Sequence, residues 1–326
     1  MKRLTLILTI LIAAASCTLS AADAPKRHIW DEVEVFPLYG NVESVTYTEN
    51  STQKVCYNFN EFGDVTEVAW YTSDGSLSDK SIIKYKFDSN GNVIERTLNY
   101  SDGSLMWKFI YKYDTKGNKS EEARYKSDGS LSHKYIYKYD TKGNNTEEAI
   151  YNSDGSLKVK SIYKYDSKGN KSEEARYNSD GSLWYKSTAK YDTKGNKTEV
   201  VLYNSDGSLS WKVIYKYDAK GNNIERAKYA SAGSLSWKEI YKYDTQGNMT
   251  EAAYYNSDGS LGGKGIYKYD TKGNKTEEAK YNSAGSLVYK GTYKYDSQGN
   301  ITEETKYEGE MQKPISQIVH TIIYRK

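Results

Sequence analysis

The sequence predicts an all-β protein in which tandem 26-residue β-hairpin repeats form one long, twisted antiparallel meander, coiled as an open spiral or partial shell. Three observations carry that prediction. The motif Tyr-Asp-x-Lys/Gln-Gly-Asn places glycine at 117, 143, 169, 195, 221, 247, 273 and 299, a constant step of 26, with Gly91 and the degenerate Gly63 upstream. A second motif, Ser-Asp/Ala-Gly-Ser-Leu, places glycine at 103, 129, 155, 181, 207, 233, 259 and 285, with Gly75 before them, so the two series interleave at spacings of 12 and 14. Between them lie short segments rich in Tyr, Ile, Thr and Trp, which are strand formers.

Taken in chain order, residues 1–22 read as an export signal: Lys2-Arg3, an apolar run from Leu4 to Ala15, then small residues. The run is too short to span a bilayer as a helix. Ala14-Ala15-Ser16-Cys17 resembles a bacterial lipobox, which would make Cys17 a lipidation site; simple cleavage near Ser20-Ala21-Ala22 is the alternative. Residues 23–56 follow as a linker with capping strands, including the Gly40-Asn41-Val42 turn. The hairpin repeats occupy 57–307, and 308–326 form a C-terminal capping strand. Cys56 has no partner for a structural disulfide after processing and reads as a small buried hydrophobe.

Each repeat is two strands and two tight turns. In Asp114-Thr115-Lys116-Gly117-Asn118 the glycine falls where a type I turn followed by a bulge needs a left-handed backbone, and Ser127-Asp128-Gly129 fits the same scheme. Counting outward from these turns places Trp107, Phe109, Tyr111 and Tyr113 on one face with Glu121, Ala123 and Tyr125. Lys108, Ile110 and Lys112 fall on the other face with Glu122 and Arg124. The same count pairs Tyr111 with Glu121, Phe109 with Ala123, Trp107 with Tyr125, Tyr125 with Leu131 and Glu122 with Lys134. Gly75 to Gly91 spans 16 residues instead of 14, and an insertion of two keeps every side chain on its face. About 20 strands laid flat at ~4.8 Å each would span ~90–100 Å. Their twist coils the sheet, aromatic face inward, with both edges capped.

The unit Tyr137-Lys138-Tyr139-Asp140-Thr141-Lys142-Gly143-Asn144-Asn145-Thr146-Glu147 resembles the YD repeat of the RHS family over about residues 57–307. That resemblance implies an extracytoplasmic protein whose repeats wind into a β-sheet shell, sometimes enclosing a toxin, sometimes described as carbohydrate-binding. The chain departs from the family in the uniformity of its units, each with a second Ser-Asp-Gly-Ser turn. It also ends about 20 residues after the last repeat, which leaves no room for a terminal core segment or toxin.

Composition narrows the function classes. The chain has 34 Tyr against 5 Phe and only 37% hydrophobic residues, which suits a thin, half-wet sheet rather than a thick core. Without the export signal, 44 basic residues face 43 acidic ones, and a net charge of +1 offers no field for nucleic acid; membrane attachment is expected only through a lipid anchor. His28, His133 and His320 lie too far apart in sequence to suggest a metal cluster or a triad, and the turn Asp-x-Lys-Gly-Asn puts Lys where a calcium ligand is needed. No cofactor, no metal and no enzymatic site are expected. The candidate ligand-binding aromatics are Trp107, Tyr185, Trp211, Trp237 and Tyr289, which share one position of the repeat and offer rings to sugar faces; cross-strand packing is the competing role. The Lys108 and Lys112 columns suit either a polyanion or salt bridges to Glu122-type residues. The Glu121 column suits either a wet rim or a ligand groove. The expected role is a non-enzymatic exported scaffold or binding surface of the bacterial envelope, meeting glycan or an envelope protein. The alternative is a structural or shielding element of a secretion or toxin-related system.

Overall fold

The computed structural model describes residues 38–51, 53–311 and 313–325. The expected export signal, the lipidation expected at Cys17 and the first part of the 23–56 segment fall outside the described residues. Strands β1 (Val42–Glu49), β2 (Gln53–Phe59) and β3 (Val65–Tyr71) open the sheet, followed by β4 (Leu77–Phe87) and β5 (Val93–Asn99). The regular unit is seen in β6 (Leu105–Tyr113) and β7 (Lys119–Lys126), and the next unit begins with β8 (Leu131–Tyr139) and β9 (Asn145–Asn152). The pattern runs on to β21 (Ile301–Glu308) and β22 (Ser316–Tyr324).

The sheet is not an open spiral or a partial shell. It has 22 antiparallel strands and closes on itself as a barrel, because β1 pairs with both β2 and β22 while β22 also pairs with β21. The two segments expected to cap separate edges are therefore each other's partners. Closure removes both edges, with their rows of unpaired N–H and C=O groups, in one step.

The turns explain the ladder. At the end of β6 the Asp114 amide donates to the Asn118 carbonyl (2.8 Å) and the Gly117 amide to the Asp114 carbonyl (3.0 Å), with Gly117 at φ +83°. Asp114 Oδ1 accepts the amides of Lys116 and Asn118, which locks the loop. These turns build in a bulge that outward counting passes over. Tyr113 pairs with Lys119, but Lys112 pairs with Glu121, so one residue of β7 is extra and the register shifts by one. The true partners are Tyr111 with Glu122, Phe109 with Arg124, Trp107 with Lys126 and Ile110 with Ala123. The turn after β7 repeats the device: Tyr125 pairs with Leu131 as expected, then Ala123 pairs with Lys134 and Glu122 with Tyr135. A slip of one inverts the short strand, since side chains alternate. Glu121, Ala123 and Tyr125 thus join the lysine face, while Glu122 and Arg124 join the aromatic face.

Bulges also leave a carbonyl to satisfy, and a tyrosine column does it. Tyr139 Oη donates to the Lys119 carbonyl (2.8 Å), Tyr165 to Asn145 (2.6 Å) and Tyr243 to Asn223 (2.7 Å), each twenty residues back in sequence. Phenylalanine could fill the same space but not make this bond, which accounts for much of the imbalance between the two residues. Tyr139→Phe is expected to lower stability by about 1 kcal/mol, the net worth of one such hydrogen bond; the shift of the urea midpoint at constant slope measures it.

The apolar core sits at the seam. Val45, Val65 and Val68 are at most 1% exposed and pack with Leu38, Val42, Tyr57, Phe59 and Ile83. Polar fastenings surround them. The buried Asn300 side chain accepts the Tyr39 amide (2.6 Å) and donates to the Tyr39 carbonyl (2.9 Å), and the Arg325 guanidinium donates to the carbonyls of Val42 and Phe59. Elsewhere the wall is a single layer of half-buried side chains, and no strand approaches any strand but its ladder neighbours.

Candidate binding surface

The two faces of the wall differ in chemistry and in constancy. The outer face carries a ladder of ion pairs in which one glutamate bridges lysines from both neighbouring strands. Glu121 reaches Lys112 (3.1 Å) and Lys134 (3.0 Å), and Glu173 reaches Lys164 (2.8 Å) and Lys186 (2.7 Å). The expected partnership of Glu122 with Lys134 therefore belongs to Glu121, and the Glu121 column is neither a lumenal rim nor a groove. Hydrogen bonds from Lys164 and Lys186 hold the Glu173 carboxyl below its usual range, and those from Lys86 and Lys108 do the same for Glu95. Every full unit carries two lysines on this outer wall, and an unpaired lysine on a lipid-facing barrel surface would cost about 2–4 kcal/mol at the bilayer midplane.

The aromatic face lines the lumen. Burial among the surrounding wall raises the hydroxyl pKa of Tyr137, Tyr215, Tyr241 and Tyr267 along this face. With 22 strands and an ordinary tilt, a round cross-section would measure on the order of 40 Å between opposite backbones.

All five sequence-predicted aromatics point into this lumen, and the structure gives four of them a cation. The Arg124 guanidinium lies 4.0 Å from the Trp107 ring centre, Lys228 Nζ 4.8 Å from Trp211, Arg226 5.1 Å from Trp237 and Lys280 Nζ 4.9 Å from Tyr289. Tyr185 instead donates its hydroxyl to Glu174 (2.8 Å). Only Tyr185, Trp211 and Trp237 occupy consecutive units, on β12 (Leu183–Tyr191), β14 (Leu209–Tyr217) and β16 (Leu235–Tyr243), about 10 Å apart at two strands per step. The same position is His133, Val159 and Gly263 in other units, so Trp107 and Tyr289 stand apart from the run.

The lumenal charges are what counting outward from the turns missed. Arg124, Arg176, Glu174, Arg226, Lys228 and Glu278 face the rings because of the bulge. Glu278 is 9% exposed and donates nothing; it accepts Lys275 Nζ at 2.7 Å, and Lys275 and Lys280 together outweigh burial to keep its carboxyl below the usual range. No sequence signal short of recognising the paired bulges could have placed them. Among the described residues, no group of three His, Cys, Asp or Glu side chains could hold a metal ion.

One lumenal group makes the seam acid-sensitive. His320, 5% exposed, packs edge-on against Tyr47 with ring centres 4.6 Å apart. Burial pushes its pKa down from 6.5 to about 4, against a partly offsetting hydrogen bond with the Ile301 backbone. The unfolded chain therefore binds a proton that the folded one refuses, and stability falls as pH drops from about 6.5 through about 4. His320→Gln should flatten that limb, seen by comparing urea midpoints at about pH 7 and about pH 4.5.

The turns meet along one rim of the barrel. Lys116 Nζ donates to the Thr141 carbonyl of the next turn (2.8 Å), Lys168 to Thr193 (2.7 Å) and Lys194 to Ala219 (3.0 Å), so neighbouring turns are tied by lysine spokes.

Neither a family model nor a curated protein matches the chain. The likeness to YD repeats therefore rests on the repeat motif itself. Among solved structures, one similar chain belongs to the TcdB2-TccC3 crystal structure, at 13% identity and a TM-score of 0.32, covering 81% of this chain. The match spans only 19% of that longer chain. A porin-like protein from Bacteroides uniformis is similar at 10% identity and a TM-score of 0.33, over 86% of this chain and 98% of that one. A porin-like protein from Bacteroides vulgatus follows at 11% identity and a TM-score of 0.24, over 87% and 98%.

Proposed function

We propose that this chain is a non-enzymatic, exported protein of the bacterial envelope whose barrel lumen is a binding surface for glycans. One observation carries the reading. Lys108, Lys112, Glu121 and Tyr125 on the outer wall recur unchanged at every step of 26 through Lys290, Lys294, Glu303 and Tyr307. On the lumenal face the Tyr113 column is equally constant, but two positions change from unit to unit: Phe109 becomes Tyr135, Ser161, Ser187, Val213, Glu239, Gly265 and Gly291, and Trp107 becomes His133, Val159, Tyr185, Trp211, Trp237, Gly263 and Tyr289. A uniform outer wall serves construction, and a varied inner wall makes a chamber whose sectors differ in ring, charge and size. Tyr185, Trp211 and Trp237 form the longest aromatic run at the varied Trp107 position, flanked by Arg226 and Lys228, and rings beside hydrogen-bonding groups suit the apolar faces and hydroxyls of sugars. The leader sequence supports export, and the ion-paired exterior supports a barrel in aqueous surroundings, tethered through Cys17 if that residue is lipidated.

Glycan-array binding by the exported chain is expected, with at least about tenfold loss for Trp211→Ala combined with Trp237→Ala. Equal binding by the double variant would remove the lumen from the reading. A shielding role in a secretion or toxin-related system is the second reading, favoured by closure, since a wall without edges can enclose a chain. Protease protection of a co-expressed passenger, with a blank glycan array, would replace the first reading with this one.

A further inference from the structure

Beside the turn at 88–92 the lysine spoke is missing and the rim is open. The turn at 88–92 carries Asn90 where the next carries Lys116. An asparagine cannot span the distance that Lys116 covers to the Thr141 carbonyl, so the turn at 88–92 is not tied to Thr115 of the turn at 114–118. Between these two turns lies a cleft of about 630 Å³, and both Asn90 and Thr115 line it. Ile94 lines it too, 37% exposed, at the position that is Ser120 and Thr146 in the following units. Tyr111 and Tyr113 supply aromatic walls.

The charges in the cleft are already committed. Asp88 and Asp114 each accept the amides of their own turns, Lys112 is paired with Glu121 and Lys116 with the Thr141 carbonyl. The two carboxylates and two ammonium groups of the lining balance, so the cleft carries no net charge, and what remains for a ligand beside them is the Asn90 amide, the Thr115 hydroxyl and carbonyl, the Tyr113 ring and one aliphatic side chain. The volume falls within the roughly 300–1,000 Å³ of small-molecule sites. Beside the cleft, the chain just before Asp88 is apolar and open to water, where Phe87 and Phe62 meet at 5.9 Å with exposures of 39% and 65%. Phe62 stands at the spoke position of its own turn, so this whole sector of the rim has exchanged lysine for groups that face solvent without charge.

We infer that the cleft between the 88–92 and 114–118 turns is a binding site for a neutral mono- or disaccharide. A ring face of the sugar packs on Tyr113 and Ile94, and its hydroxyls bond the Asn90 amide and the Thr115 carbonyl. This deepens the glycan reading but places a site at the rim, apart from Tyr185, Trp211 and Trp237. The other units supply variants that keep the fold: Asn90→Lys rebuilds the spoke and fills the cleft, and Ile94→Ser restores the side chain found at 120. Saturation-transfer NMR and calorimetry on the exported chain, with a panel of neutral mono- and disaccharides, should detect binding that each variant weakens at least about tenfold. Trp211→Ala with Trp237→Ala should leave it unchanged. Binding that survives Asn90→Lys and Ile94→Ser but vanishes with the tryptophans overturns the rim site and leaves the lumenal reading standing. A panel that does not bind at all overturns the rim site, and overturns the glycan reading with it only when the array is also blank.

Discussion

A chain ended at Met311, before β22, is expected to self-associate through two newly freed strand edges. Without β22 the outer edges of β1 and β21 become free, each a row of backbone donors and acceptors with nothing opposite. The seam cluster around Val45 and Tyr57 would also face water. Self-association through those edges should dominate light scattering, with β-structure retained by circular dichroism. The truncated chain running as a well-folded monomer would show that the seam is dispensable and that the repeats hold themselves in shape.

The second large effect belongs to Val68→Asp. Val68 is fully buried between Tyr57 and Ser81 on neighbouring strands, with no cation opposite. An uncompensated buried charge costs about 3–5 kcal/mol, a large share of what a typical domain has. On the outer wall, Lys134→Ala removes one arm of a half-exposed ion pair whose glutamate keeps Lys112, and should cost about 1 kcal/mol or less. Comparable urea midpoints for the two variants would mean that the seam is not the core of this protein.

Much of the fold could be read from the residues. Turn glycines at a fixed period, with Asp and Asn around them, are strong local signals, and they gave the alternation of strands and their antiparallel direction, though about 20 strands were expected against the 22 observed. Register was harder. The bulge at Ser120 is dictated by the very turn that was recognised, but each hairpin needs two shifts, and omitting one exchanges Glu121 with Glu122. The result is a plausible and wrong pairing, because both residues are glutamates flanked by lysine and tyrosine. Closure was not legible at all. β1 and β22 look like any two terminal strands, and their meeting depends on twist accumulated over the twenty strands between them, a property of no single residue. The candidate aromatics sit on the long strand, from which the faces were counted, so the bulge leaves their face-mates on that strand unchanged. Their cationic partners sit on the short strand, beyond the bulge.

The two-strand unit has a consequence for the width of the molecule. Since every copy presents the same outer ladder at both of its borders, a gene that gains or loses one copy should still close, with a perimeter altered by two strands. At ~4.8 Å per strand and an ordinary tilt, that changes the bore by about 4 Å. Copy number then acts as a caliper: the diameter of the passage is written in the count of repeats, and could be reset by recombination between near-identical segments without inventing a new residue.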